Sequence, residues 1–179
     1  MGMCFEAYVG HRLNEDDINR FCDELNSNKF KSINRFVNTY CSFNNTRVVP
    51  DQLVDTIDLI GPNIISFMFS EKVCRIHSYI RWWEFLIEEE IQKHLRKVSF
   101  EIMNYFNSSF VIYVPDTGAL ESYLIDFMWK DENKDVNYMR NWLQENCGPP
   151  KTRIMDIYKQ FDKYWGSDGY FIDVFPDIK

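Results

Sequence analysis

Glycine is scarce in this sequence, with only seven residues scattered through 179. Loops that cradle phosphate groups need closely spaced glycines, and neither the G-x-G-x-x-G pattern nor the P-loop pattern is present. The G-x-S-x-G turn that presents a nucleophilic serine in many hydrolases is also missing. These absences exclude the recognisable nucleotide-binding and serine-hydrolase signatures.

Paired cysteines and long apolar runs are missing as well. The cysteines form no Cys-x-x-Cys pair and are odd in number, which favours free thiols in a reducing, cytoplasmic setting. They are Cys4, Cys22, Cys41, Cys74 and Cys147. The first residues lack the basic and apolar regions of a signal peptide. The longest uncharged apolar-rich run, 59–70, is too short to span a bilayer, so no membrane association is expected.

Positive charge is in deficit. Lys and Arg number 20 against 27 Asp and Glu, and the net charge is −7 at pH 7. Such a surface repels phosphate groups, so no nucleic-acid partner is expected, whereas a basic protein partner is compatible with it. No residue pattern indicates a cofactor.

Apolar residues are plentiful at 45%, and aromatic residues make up 17% of the chain. This is enough for one large core, and no linker or repeat divides the sequence. Residues 1–179 are therefore interpreted as a single α+β domain, with a mostly antiparallel sheet, a long central helix packed on it and helices at both ends of the chain. Short apolar runs predict strands at 4–9, 64–69, 110–115, 122–129 and 170–175.

Helical periodicity predicts the remaining elements. Asn14 can cap a first helix, and a second follows at 30–40. A short helical piece is expected at 50–59. Later helices are predicted from Val136 to a C-cap at Gly148 and from Thr152 to Trp165.

The longest predicted helix covers 71–106, where apolar residues recur at steps of three and four. Trp82, Phe85 and Leu86 lie on its far side. They are either covered by the N-terminal helices or offered to a partner, and in the second case they are the candidate binding residues.

A short motif follows the strand at 110–115. Asp116-Thr117-Gly118-Ala119 resembles the active-site signature of aspartic proteases, whose paired carboxylates activate water. Only one copy is present, helices dominate the chain, and Pro115 replaces the expected apolar strand residue. Asp-Thr-Gly is also a good turn sequence, and the turn interpretation is favoured.

Candidate catalytic residues are carboxylates beside predicted strands. Asp116, Asp126 and Asp173 could share a cleft if their strands are neighbours. A nucleophilic Cys–His pair is a further possibility, because three histidines are present.

Metal-ligand spacing is weak throughout. Cys74 and His77, at i,i+3, and Glu90 and His94, at i,i+4, could each meet on a helix, but neither pair has the further ligands that zinc requires. No metal site is predicted, and these residues are interpreted as core or surface groups.

Two functions remain open at this point. The first is a non-catalytic protein-binding module, of inhibitor or immunity-like type, because every catalytic signature fails. The alternative is a small hydrolase using the aspartate group or a Cys–His pair. A concave site holding two of these groups would favour the hydrolase, and an exposed patch with Trp82 and Phe85 would favour the binding module.

Overall fold

One antiparallel sheet forms the middle of the molecule. The computed structural model describes residues 3–41, 47–53, 56–60, 64–116, 120–129, 132–161 and 169–175. Within them, seven strands follow the order β2-β3-β4-β5-β1-β6-β7, and every neighbouring pair is antiparallel. The strands are β1 (Cys4–Gly10), β2 (Val49–Gln52), β3 (Ile57–Ile60), β4 (Ile65–Phe69), β5 (Val73–Arg81), β6 (Val111–Pro115) and β7 (Phe171–Asp173).

Helices occupy much of the chain between β1 and β7, which confirms the α+β class, and the helices expected at both ends of the chain lie just inside these two terminal strands. Those in the described residues are α1 (Glu15–Asn26), α2 (Lys31–Tyr40), α3 (Trp82–Ile87), α4 (Glu89–Phe106), α5 (Leu120–Asp126), α6 (Val136–Cys147) and α7 (Ile154–Phe161). Asn14 caps α1 as expected, since its side chain accepts a hydrogen bond from the backbone N–H of Asp17. Gly148 ends α6 with a φ of 78°, which favours glycine.

The central strand β1 separates two unlike faces of the sheet. Phe5, Ala7 and Val9 join the large core with the buried sides of α1, α2, α3 and α4, and we call this side the first face. On the second face, Tyr8 joins a smaller core formed with α5 and α6. Alternate side chains of β1 therefore belong to the two different cores.

The predicted long helix at 71–106 is wrong in its first half. Residues 73–81 form β5, and only α4 remains as a long helix over the first face. Cys74, Ile76 and Ile80 are spaced for a helix in part, but they also alternate with more exposed residues. Pairing with β1 and β4 on both sides favours the strand, a tertiary effect that local periodicity does not contain.

The predicted strand at 122–129 is also wrong, because α5 occupies most of it. Leu124, Phe127 and Met128 are buried at helical spacing of three and four residues. The alternation of aromatic residues in this segment is therefore incidental.

The helical piece expected at 50–59 is a third error. The segment contributes β2 and β3, which pair antiparallel from Val49↔Ile60 to Gln52↔Ile57. Pro50 is tolerated because β2 is an edge strand, where one missing N–H costs little. The predicted end of the last helix at Trp165 lies outside the described residues, and so do residues 117–119 of the aspartate motif.

Candidate functional site

Polar side chains gather on the part of the second face that α5 and α6 leave open. The smaller core covers β6, Tyr8 of β1 and Val73 at the start of β5. Beyond it, β-strand alternation brings polar residues to the same side of β1, β3, β4 and β5. We call this set the polar area; its members are Cys4, Glu6, Asp58, Ser66, Arg75, His77 and Asp116.

Three potential metal ligands converge in the polar area. Cys4 begins β1, His77 lies in the middle of β5, and Asp116 directly follows β6. One thiol, imidazole or carboxylate atom from each lies within 4.8 Å of the others. His77 Nε2 lies 3.6 Å from Asp116 Oδ2. Among the described residues, this is the one group of three such ligands.

Backbone pairing holds this trio in place. Asp116 N–H donates to the Cys4 carbonyl at 3.0 Å, and the Asp116 carboxylate accepts from the Cys4 N–H. Across β1, Glu6 faces His77, but the register then shifts so that Cys4 faces Arg81. This irregularity inserts extra residues into β5 and brings the Arg81 guanidinium to 3.7 Å from the Cys4 sulfur.

The electrostatics of the trio do not suit a cysteine nucleophile. Burial and the negative charge of Asp116 raise the pKa of Cys4, against a smaller opposing effect of Arg81. Burial and the Arg75 charge lower the pKa of His77, against the effect of Asp116. A reactive Cys–His pair requires the thiolate form, and these surroundings favour the thiol and the neutral imidazole instead.

A buried ion pair lies beside the trio. Glu6 is fully buried, and its carboxylate accepts hydrogen bonds from Nε and Nη2 of Arg75, the first at 2.7 Å. The Tyr8 hydroxyl donates to the second oxygen of Glu6 at 2.9 Å. These hydrogen bonds offset the free-energy cost of burying the Glu6 charge, and they hold Glu6 and Arg75 in place beside His77.

The three predicted aspartates are not brought together. Asp173 faces Val111 at the start of β6, whereas Asp116 follows its end, which separates them by roughly 16 Å along the strand. Asp173 is instead buried on the first face, where Arg96 donates to it at 2.6 and 2.7 Å. Asp126 is exposed at the end of α5. Only Asp116 belongs to the trio.

The other predicted groupings also differ from the structure. Cys74 and His77 lie on opposite faces of β5, because they are an odd number of residues apart on a strand. Trp82, Phe85 and Leu86 are each fully buried in the large core, where the rings of Phe5 and Phe85 meet edge to face with centroids 4.7 Å apart. In the folded chain these three residues offer no surface to a partner, but α3 packs mainly against α4, α7, β1 and β5 rather than against the N-terminal helices that were expected to cover it.

Sequence reasoning missed Cys4 and His77 as a pair because they meet only across two strands. In a strand at 4–9, alternation puts Cys4 and Glu6 on one side, and this is the signal that the sequence contains for part of the polar area. Because residues 71–106 were predicted to form one helix, the pairing of β5 with β1 was not expected. The approach of His77 to Cys4 was therefore not expected either.

Comparisons with family models, curated proteins and solved structures find no match for this chain. Among the described residues, no helix has the length and apolar character needed to cross a membrane. Function is therefore inferred from the chemistry of the polar area.

Proposed function

We propose that this protein is a metal-dependent hydrolase, with a zinc-type divalent ion bound by Cys4, His77 and Asp116. The observation that supports it is the convergence of their three ligand atoms within 4.8 Å. Thiolate, imidazole and carboxylate are the three side-chain ligands that Zn²⁺ uses in proteins. The three ligands combine a soft sulfur atom with an imidazole nitrogen and a hard carboxylate oxygen. This combination suits Zn²⁺ better than Mg²⁺ or Ca²⁺, which prefer oxygen ligands.

The spacing of the trio is close to what a tetrahedral ion requires. With metal–ligand bonds of about 2.0–2.3 Å, ligand atoms lie roughly 3.4–3.7 Å apart. The 3.6 Å between His77 Nε2 and Asp116 Oδ2 already meets this value. The remaining atoms need an approach of at most about 1.4 Å, which side-chain rotation supplies without moving the strands.

Three protein ligands leave a fourth position for water, the arrangement of catalytic rather than structural zinc. The side chains of His77 and Asp116 keep 17% and 21% of their surface exposed, so this position is reachable from solvent. A cavity of about 200 Å³ has His77 in its lining, together with Asp58, Ser66 and Tyr79, although neither Cys4 nor Asp116 lines it. A divalent ion held by Cys4, His77 and Asp116 would supply a water whose pKa is lowered to about 7, for the hydrolysis of a carbonyl or phosphoryl substrate.

Metal binding is tested first, on the purified full chain. After chelator treatment and dialysis against Co²⁺ or Zn²⁺, we expect one ion per chain by mass spectrometry and a thiolate-to-Co²⁺ absorption band. Cys4→Ser, His77→Gln and Asp116→Asn should each lose the ion. Cys41→Ser and His94→Gln are the matched controls and should retain it. A wild-type chain that binds neither ion would contradict the proposal.

Hydrolysis is tested separately, with chromogenic esters and phosphate esters. Activity that requires the added ion and is lost in the three ligand variants supports the hydrolase. Stoichiometric metal binding without turnover of any ester would leave a metal-binding protein and overturn the hydrolytic part.

The compartment and excluded partners form part of the same proposal. None of the five cysteines forms a disulfide, which is compatible with a reducing cytoplasm. The net charge of −7 argues against nucleic acid as partner or substrate. Thiol labelling of the chain in fresh cell extract, without added reductant, should modify every cysteine after unfolding.

A protein-binding module is the second candidate, and the edge strand β2 favours it. All four residues of β2 are exposed, and within the part of the chain that the structure describes β2 pairs with β3 alone. An extended segment of a partner could add to this edge. Val49→Lys should then abolish capture of a partner, whereas Val174→Lys, an exposed valine just beyond the opposite edge strand, should not. Equal capture by both variants would exclude the β2 edge.

A further inference from the structure

A second cavity lies between α4 and the residues that follow β7. Its volume is about 310 Å³, within the range of small-molecule sites. The rings of Phe100 and Phe175 meet there edge to face, with centroids 4.8 Å apart, and they give the cavity an apolar wall. Both rings pack against the large core of the first face, whereas the trio lies on the second face. The two sites are therefore on opposite sides of the sheet.

The charged residues of this cavity are mostly basic, although the chain as a whole has a net charge of −7. Lys93, Arg96 and Lys97 line it, and Glu89 is the only carboxylate among the described residues that do so. These four residues recur at steps of three and four along α4, so they share one side of the helix. The cavity therefore attracts anionic ligands more than the rest of the surface does.

Arg96 is held firmly at one edge of its guanidinium group. Its Nε and Nη2 donate to the two carboxylate oxygens of Asp173 at 2.6 and 2.7 Å. Asp173 is 6% exposed and also accepts a hydrogen bond from the Tyr113 hydroxyl at 3.3 Å. The guanidinium carbon lies 5.9 Å from the centre of the Phe171 ring. These contacts fix the orientation of the Arg96 group before any ligand arrives.

The other edge of the guanidinium is open. A guanidinium can bind one carboxylate through Nε and Nη2 and another through Nη1 and Nη2, each with two parallel hydrogen bonds. Within the described residues, Arg96 uses only the first of these edges. Arg96 lines the cavity and Asp173 does not, so the open edge lies on the cavity side. A ligand carboxylate there meets donors that are already oriented, which reduces the entropic cost of binding.

We infer that this cavity binds a small aromatic carboxylate. The ligand carboxylate accepts hydrogen bonds from the open edge of Arg96 and lies near the Lys97 ammonium group, and its ring packs on Phe100 and Phe175. This inference does not rest on the metal site.

The balance of charge favours a single carboxylate over a phosphate ester. The three cations of the lining, set against the carboxylates of Glu89 and Asp173, leave one positive charge. A carboxylate neutralises this charge, whereas a phosphate monoester carries close to two negative charges at neutral pH and would leave an excess.

Five probes test the inference on the full chain. Phenylacetate, phenyl phosphate, phenethyl alcohol and phenethylamine share an aromatic ring and differ in charge, and acetate has the charge without the ring. Titration followed by NMR shifts of the Phe100 and Phe175 rings should rank phenylacetate first. We expect it to bind at least about tenfold tighter than phenethylamine or acetate, because each of these lacks one of the two matching groups.

Variants of the lining should change the affinity for phenylacetate in opposite directions. Arg96→Lys keeps a positive charge beside Asp173 but removes the open edge, and should weaken binding about tenfold. Lys97→Gln changes an exposed residue and should weaken it about threefold. Glu89→Gln removes a repelling carboxylate and should strengthen it about twofold. A role in folding alone would not give this pattern.

Lys72→Gln is the matched control, because Lys72 is an exposed lysine in the turn before β5 and does not line the cavity. It should bind phenylacetate like the wild type. The inference would be overturned by no saturable binding of phenylacetate, by equal binding of phenylacetate and phenethylamine, or by tighter binding of phenyl phosphate. Wild-type affinity in both Arg96→Lys and Lys97→Gln would overturn it as well.

Discussion

The two faces of the sheet are built from the same strands but by different rules. The first face is an aromatic core, in which the ring of Phe5 packs against the rings of Trp82 and Phe85, two residues of α3. The second face is apolar only where α5 and α6 cover it, and elsewhere it carries a buried ion pair and the Cys4–His77–Asp116 trio. The first face stabilises the fold, whereas the uncovered part of the second face holds groups whose arrangement stability alone does not require.

The largest effect is expected where two neighbouring tryptophans differ in burial. Trp82 is fully buried and Trp83 is 43% exposed. Trp82→Ala should lower the free energy of unfolding by about 3–5 kcal/mol, because it empties a large aromatic site. Trp83→Ala should cost less than about 1 kcal/mol. Urea unfolding of both variants checks this, and equal losses would mean that the first face is not the stabilising side.

The ion pair of the second face should follow next. Glu6→Gln leaves the Arg75 guanidinium beside a neutral group in a buried place, and we expect a loss of about 3 kcal/mol. The exposed pair of Glu90 and Lys93 gives the comparison, since Glu90→Gln should cost less than about 0.5 kcal/mol. If Glu6→Gln costs as little free energy of unfolding as Glu90→Gln, the Glu6–Arg75 pair of the polar area is solvated rather than buried.

His11 makes the first face sensitive to acid. Its Nδ1 accepts the Leu13 N–H at 3.1 Å and its Nε2 donates to the Ser70 carbonyl at 3.0 Å, so the neutral ring is fully bonded. Burial lowers its pKa to about 4. Protonation is therefore easier in the unfolded chain, and the stability present at neutral pH is lost as the pH falls below about 6.5.

Between pH 7.5 and pH 5 this loss should amount to about 2 kcal/mol in the wild type. His11→Asn keeps an acceptor for the Leu13 N–H but cannot titrate. The difference between wild type and variant in unfolding free energy should therefore shrink as the pH is lowered. A difference that does not vary with pH would show that His11 titrates normally in the folded state.

The smallest effect should come from the trio itself. Asp116→Asn retains an oxygen that accepts the Cys4 N–H and loses only the charge opposite His77. We expect a change of less than about 1 kcal/mol in unfolding free energy, because both side chains are partly exposed. A loss as large as that of Trp82→Ala would make Asp116 a structural residue and weaken the functional interpretation of the second face.

Much of the fold was predictable from local patterns. The errors at β5 and α5 arise because a helical and a strand period both fit the same residues. The strands containing Cys4, Phe67 and Ile112 and the helices capped by Asn14 and Gly148 are correct, because their apolar spacing fits a single period. In β5, Ile76 and Ile80 fit both a helix and a strand, and pairing on both edges decided for the strand. In α5, Leu124 and Met128 were outweighed by alternating aromatic residues.

The site was predictable only in part. Asp116 was singled out as a turn residue at a strand end, but Asp126 and Asp173 were grouped with it incorrectly. The actual neighbours of Asp116 are Cys4 and His77, which lie far away in the sequence. No spacing rule connects three residues on three strands, so their approach is decided by strand order and register.

The sequence by itself determined the class of the protein: an acidic, aromatic-rich α+β chain with free thiols and no local catalytic signature. These properties depend on composition and short-range periodicity, which need no knowledge of distant contacts. The tertiary structure alone decided that β1 lies between β5 and β6. That order brings Cys4, His77 and Asp116 together and buries Trp82, because strand pairing and core packing join residues that the sequence keeps apart.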